Sequence, residues 1–198
     1  MKKIIITAAI VSFASLNAAA QITKPIIIKK QMEPVKTTAP APPPAPVYTL
    51  AAVKANIRTG ADNKEYPSVV WAFLSSNSPT ANCSFKQESL KNEMRSNSNT
   101  EFGLEKPVNN SITLDDLQKN GCRFTIWYFA NFQFDAWKIE GVSITLEFRD
   151  QQGNLHPTLG QKTITFGNAN GFLNGYGETR MICTTDGYFN PLTAQITK

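Results

Sequence analysis

The sequence predicts an all-β domain: an antiparallel β-sandwich of about seven or eight strands with one or two short helices, behind a disordered proline-rich tether. Three observations predict it. Several short segments alternate apolar and polar side chains with period two. Gly, Asn, Asp and Pro punctuate them at short intervals, and helix-capping signals are few.

The first residues fall into three regions. Lys2 and Lys3 are positive, Ile4 to Leu16 form an apolar run of 13 residues, and Ala18-Ala19-Ala20 supplies small side chains. This is the secretory signal pattern, with residues 1–20 expected to be removed after Ala20. The run is shorter than the roughly 20 residues that span a bilayer, and Thr7, Ser12 and Ser15 interrupt it. No later segment is long and apolar enough to cross a membrane. The expectation is a secreted, periplasmic or cell-surface chain that does not span a membrane.

Residues 21–47 hold seven of the 12 prolines and end in Pro40-Ala41-Pro42-Pro43-Pro44-Ala45-Pro46. Proline fixes φ and lacks an N–H, so this stretch reads as an extended, semi-rigid linker. A second reading makes Ile26-Ile27-Ile28 a strand offered to the sheet edge of a partner.

The net charge of +5 does not belong to the domain. Two positive charges leave with Lys2 and Lys3, and residues 21–47 carry four lysines against Glu33. Residues 48–198 hold 14 basic and 14 acidic side chains. A groove that tracks phosphates needs clustered Lys and Arg, so nucleic acid is not an expected partner.

Within residues 48–198, strands are expected at Val53 to Ile57, Val69 to Leu74, Cys122 to Ala130, Val142 to Arg149, Lys162 to Phe166 and Arg180 to Thr185. A short one is expected at Ala194 to Thr197. Val142, Ile144, Leu146 and Phe148 alternate with Ser143, Thr145, Glu147 and Arg149, the pattern of a strand with one buried face. Cys122 to Ala130 reads as apolar on both faces, hence central. Thr113 with Asp116 three residues on, and Gly121 as a stop, frame a helix of about two turns. Ser84 to Met94 is read as a second short helix.

Three cysteines in an oxidising compartment allow one disulfide. Cys83–Cys122 would close a 40-residue loop; the alternative is three free thiols. There is no CxxC and a single histidine, so a Cys/His zinc site is not expected.

No catalytic constellation emerges. His156 follows a turn in Leu155-His156-Pro157, without a GxSxG to supply a nucleophile. Asp115-Asp116 lies in a helix first turn, where the dipole favours negative charge. Gly171 to Gly177 is glycine-rich but opens no evident helix, and reads as a long loop rather than a phosphate cradle.

Aromatic residues are the informative group. Trp127, Tyr128, Phe129, Phe132, Phe134 and Trp137 fall within 11 residues. Most are assigned to the core, whereas Phe132, Phe134, Phe172 and Tyr176 lie in loops and are hard to bury. Exposed loop aromatics suit a non-catalytic surface for an envelope or extracellular lipid, glycan or protein. The other reading is an assembly subunit that makes protein contacts through the tether or a sheet edge.

Val53 to Asn63, with its strand ending in Thr59-Gly60, followed by Val69 to Leu74, resembles the opening of a PLAT/LH2 domain. Asp135-Ala136-Trp137-Lys138-Ile139-Glu140-Gly141-Val142-Ser143-Ile144 resembles the same family's Trp-x-hydrophobic-x-x-Val-x-hydrophobic segment. The resemblance implies an eight-stranded sandwich that binds lipids or proteins, sometimes with calcium. The family's Gly-Thr-Asp is absent; Lys64-Glu65-Tyr66-Pro67-Ser68 stands there instead. The oxygen ligands the resemblance leaves for calcium are Asp62, Asn63, Glu65 and Asp135, fewer than the six to eight oxygens calcium takes.

Overall fold

Period-two alternation folds into two antiparallel sheets that bury one face each against the other. The computed structural model describes residues 44–174 and 179–198. The expected signal peptide, the tether up to residue 43, Ile26 to Ile28 and Tyr176 lie outside the described residues. Ten strands and one helix are present among the described residues: β1 (Thr49–Thr59), β2 (Val69–Ser76), β3 (Ser84–Leu90), β4 (Asn99–Leu104), α1 (Leu114–Asn120), β5 (Cys122–Phe129), β6 (Ala136–Arg149), β7 (Gln161–Phe166), β8 (Gly171–Asn174), β9 (Thr179–Thr185) and β10 (Pro191–Thr197).

The first sheet runs β4-β1-β6-β7, and β8 pairs with the opening residues of β6. The second runs β10-β9-β5-β2-β3. Alternate side chains of each sheet point inward. Leu50, Val53, Ala55 and Ile57 of β1 and Val142, Ile144, Leu146 and Phe148 of β6 meet Val70, Ala72 and Leu74 of β2 and Phe124, Ile126 and Tyr128 of β5. Burying each such side chain contributes about 1.5–3 kcal/mol before chain entropy is subtracted. Trp137 is fully buried and donates its indole N–H to Thr59 Oγ1 at 3.2 Å, so its one polar atom is satisfied.

The helix forms as its sequence dictates. Thr113 Oγ1 accepts from the Asp116 N–H at 3.1 Å, Leu114 and Leu117 face the core, and Gly121 ends it at φ 75°. A Cβ at Gly121 would strike the Thr185 carbonyl, so only glycine fits this stop.

Three elements differ from expectation or were not foreseen. Ser84–Leu90 is a strand, not a helix: Phe85 is buried while Ser84 and Lys86 are not, which is period two. Its backbone is also claimed on both sides, by β2 and by paired Lys86–Glu105 hydrogen bonds of 3.1 and 2.7 Å. That second pairing closes one edge of the sandwich. Gly171–Asn174 is strand β8 rather than loop, because Ala136–Ile139 offers it a ladder and Leu173 a buried position. β4 carries only one buried side chain, Leu104, and left almost no apolar signal.

The Cys83–Cys122 bridge is not formed, and all three cysteines are free. β2 stands between β3 and β5. Two strand spacings amount to about 9.5 Å, beyond the roughly 7 Å a disulfide reaches. Cys83 lies against the Asn109 carbonyl at 3.5 Å, whereas Cys122 and Cys183 face the core.

Candidate functional site

The outward face of the second sheet is built by strand parity. In β2, Val70, Ala72 and Leu74 point in, so Trp71, Phe73 and Ser75 must point out. In β5, Phe124, Ile126 and Tyr128 point in, which leaves Arg123, Thr125, Trp127 and Phe129 outside. β9 contributes Arg180, Ile182 and Thr184 by the same alternation. The register sets these in rows. Trp71 lies opposite Trp127, which lies opposite Arg180; Phe73, Thr125 and Ile182 form the next row, and Ser75, Arg123 and Thr184 the third.

Four rings therefore gather on the solvent side. Trp71 and Trp127 are nearly parallel, with centroids 6.2 Å apart and planes at 11°. Phe129 leans on Trp71 at 5.1 Å and Phe73 meets Trp127 edge-on at 5.5 Å. The Arg180 guanidinium covers the other side of Trp127 at 4.0 Å. Each such pair contributes about 0.5–1.5 kcal/mol, so neighbouring rings hold one another in place on the surface.

Beside Phe73 and Trp127 the face deepens into a groove of about 390 Å³. Ser75, Thr125, Ala81, Asn82, Cys83 and Ser84 line it together with the two rings. Hydroxyl and amide groups thus stand directly next to aromatic surface.

The loop aromatics separate into two places. Phe132 and Phe134 lie in the loop that carries the chain from β5 to β6 and are 51% and 78% exposed. Phe172 is as exposed as Phe132 but sits on the outer side of the first sheet, under the Lys138 ammonium at 4.6 Å. That is the opposite side of the sandwich. Tyr176 lies outside the described residues.

The β5–β6 loop is braced from inside. The Asp135 carboxylate is buried and accepts from Ser68 Oγ and from the Tyr128 hydroxyl, while Ser68 Oγ in turn accepts from the Asn131 N–H at 2.9 Å. Burial and then this carboxylate push the Tyr128 hydroxyl well above the ordinary tyrosine range, so it stays a donor.

The oxygens suggested for calcium do not converge. Asp135 is engaged as above, Asn63 donates to Glu93 at 3.2 Å, and Glu65 is exposed. The cation this corner holds is Lys64, a fully buried side chain whose ammonium donates to the carbonyls of Glu65, Lys91 and Asn92 at 3.3, 3.0 and 2.8 Å. Burial lowers its pKa to about 8, with Asp135 and then Glu93 opposing. Among the described residues no three His, Cys, Asp or Glu side chains come together in a metal-holding group.

His156 is a half-buried turn brace. Its Nδ1 accepts from the N–H groups of Thr158 and Leu159 at 3.2 and 3.0 Å, and its ring meets Tyr48 edge-on. Asp115 and Asp116 lie in the first turn of α1.

Sequence reasoning missed Trp71, Phe73 and Arg180, and assigned Trp127 and Phe129 mainly to the core. A usable signal existed: Trp127 and Phe129 share strand parity with Arg123 and Thr125, and Trp71 and Phe73 share it with Ser75. A parity that carries Arg, Thr and Ser marks the wet face. No family model and no curated protein matches the chain.

Proposed function

We propose that this chain is an exported, non-catalytic module that binds a glycan through the outer face of its second sheet. The observation that carries the reading is the gathering of Trp71, Phe73, Trp127 and Phe129 on the solvent side of β2 and β5. A sugar ring presents C–H groups on its faces and hydroxyls at its rim. It is therefore matched by aromatic surface with hydroxyl and amide groups beside it, which is the composition of the groove at Ser75, Thr125, Asn82 and Ser84. Export is inferred from the Lys-apolar-Ala pattern of residues 1–20. The proline-rich stretch would hold the module away from whatever surface it serves.

The non-catalytic reading is supported by what the buried ionisable groups do. Asp135 ties Ser68 to Tyr128, and Lys64 ties two loops together through carbonyls. Both act as braces and neither faces the aromatic groove.

The test is co-sedimentation of the purified chain with insoluble polysaccharides, peptidoglycan and liposomes, beside Trp71→Ala and Trp127→Ala. Retention on a glycan matrix that both substitutions abolish is the expected result. Retention on liposomes alone would replace the glycan by a lipid surface, and retention that survives both substitutions would remove the face from the account.

A further inference from the structure

We infer that the glycan is an extended, β-linked chain bound along several consecutive sugars, an inference that rests on the glycan reading above and adds the length and shape of the ligand. The aromatic groove has a neighbour. Asn82, Cys83 and Ser84 also line a second groove of about 580 Å³, with Lys86, Asn109 and Ser111 beyond them. The two grooves share three residues and therefore adjoin. Their linings differ in kind. The first sets Phe73 and Trp127 beside hydroxyls, whereas the second is lined by no aromatic ring and offers amides, hydroxyls and the Lys86 ammonium.

Sheet register puts them on one line. Thr125 of β5 lies opposite Phe73 of β2, and Phe73 lies opposite Lys86 of β3. The Lys86 backbone is bonded in turn to Glu105, two residues before Pro107 of the second groove. Three strand spacings across these four backbones amount to roughly 14 Å, about the length of three sugars in an extended chain. Each groove alone has the volume of a site for a drug-sized ligand, about 300–1,000 Å³, so the pair exceeds what one sugar fills. The difference in lining suits a chain. One sugar stacks a C–H face on Trp127 or Phe73, and its neighbours, which meet no ring, are held by hydroxyls and amides. A β-linked chain stays straight enough to follow the row, whereas a coiling α-linked chain leaves it after a sugar or two. The second groove is also built in advance. Asn110 donates to the Leu50 carbonyl at 2.7 Å and accepts from the Ile112 N–H at 3.2 Å, which fixes the loop that carries Asn109 and Ser111. The Cys83 thiol lies against the Asn109 carbonyl at 3.5 Å and ties that loop to residues 82–84.

The experiment measures calorimetric binding of the full chain to cello- and chito-oligosaccharides from dimer to hexamer, with malto-oligosaccharides of the same lengths as the coiling comparison. In the β-linked series that binds, affinity should rise about tenfold or more from dimer to tetramer and then level off, as each added sugar gains its hydrogen bonds. The malto-series should bind about tenfold more weakly. Asn109→Ala, at an exposed position, should lower hexamer affinity three- to tenfold and so shrink the gap between hexamer and dimer. Bound hexamer should also slow iodoacetamide labelling of Cys83 several-fold, because that residue lines both grooves. Affinity that is level from the dimer on, a gap that Asn109→Ala leaves at full size, or labelling that bound hexamer does not slow overturns the spanning chain while the glycan reading stands. Equal binding of the malto-series overturns the linkage. Binding of none of the oligosaccharides overturns the inference whole, and retention in the sedimentation test above then decides whether the glycan reading survives it.

Discussion

Trp127 is held between two partners: the Arg180 guanidinium lies 4.0 Å from its ring centre, and the Trp71 indole lies almost parallel to it across the β2–β5 ladder. A ring with partners on both neighbouring strands is fixed in orientation.

Truncating the clamp should therefore cost stability as well as binding. Trp127→Ala removes contacts to Trp71, Phe73, Phe129 and Arg180 at once. Urea denaturation should show a loss of about 1–3 kcal/mol, the range expected when several half-exposed aromatic contacts disappear. Trp127→Phe should recover much of the stability and little of the binding. A Trp127→Ala variant as stable as the parent would mean that the row does not hold itself together.

The two exposed phenylalanine sites should behave differently. Phe134 lies in the loop that leaves β5 a few residues past Phe129 of the aromatic face, whereas Phe172 lies on the outer side of the first sheet beneath Lys138. Phe134→Ala should weaken glycan retention several-fold, and Phe172→Ala should leave it unchanged. Both should keep stability within about 0.5 kcal/mol, as surface substitutions usually do. Loss of retention on Phe172→Ala would point to a second binding surface.

The buried tie beneath the β5–β6 loop offers a stability test. Asp135→Ala leaves the Ser68 and Tyr128 hydroxyls without their acceptor and should cost about 2–3 kcal/mol; Tyr128→Phe removes one donor and should cost about 1–2. Because both changes break the same hydrogen bond, the double substitution should cost less than the sum. Strict additivity in a double-mutant cycle would show that the two groups are not coupled.

Much of this architecture was legible because burial writes itself into period two. β6 announced its inward face through Val142, Ile144, Leu146 and Phe148, and α1 announced both ends through Thr113 and Gly121. β3 and β8 were hidden for a physical reason: they are held by backbone pairing with neighbours, and each buries a single side chain, Phe85 or Leu173. A run such as Lys86-Gln87-Glu88 suits a helix equally well when the waiting ladder is unknown. The site was partly readable. The exposure of Phe132 and Phe134 was legible because loops expose what they carry. Trp71 and Trp127 were missed because a large aromatic on a strand suggests core, and its direction is fixed only by the parity of its polar neighbours.

Free thiols in the core make a chemical prediction. Burial pushes Cys122 up to about 11 and Cys183 up to about 12, with Cys122 adding to the latter, while Cys83 is half-buried beside Asn109. The thiolate is the reactive form, so iodoacetamide at pH 8 should label Cys83 alone in the native chain and all three cysteines in denaturant without reductant. Mass spectrometry reads the adducts directly. A native chain that takes no label at Cys83, and gains it only after reduction, would establish a disulfide at that residue.

Lys64 makes the pH dependence of stability run in an unusual direction. Its folded-state pKa is lowered to about 8 from 10.5, chiefly by burial. The folded chain therefore gives up this proton at a pH where the unfolded chain still holds it. Between about pH 8 and 10.5 the unfolded state binds more protons at this site, and the linkage relation makes stability rise with pH across that window. Below pH 8 the desolvation penalty on the ammonium is fully present; above 10.5 it is gone. The raised pKa values of Tyr128, Cys122 and Cys183 act oppositely at high pH, because the folded state keeps those protons longer. These three groups are common to the parent and to Lys64→Met, so their contribution cancels in the difference between the two. Urea melts of both proteins from pH 7.5 to 10.5 should show the parent gaining stability relative to Lys64→Met as pH rises. A flat difference would mean that the three carbonyls stabilise the ammonium enough to offset its burial, and a falling one would mean that they do more than that.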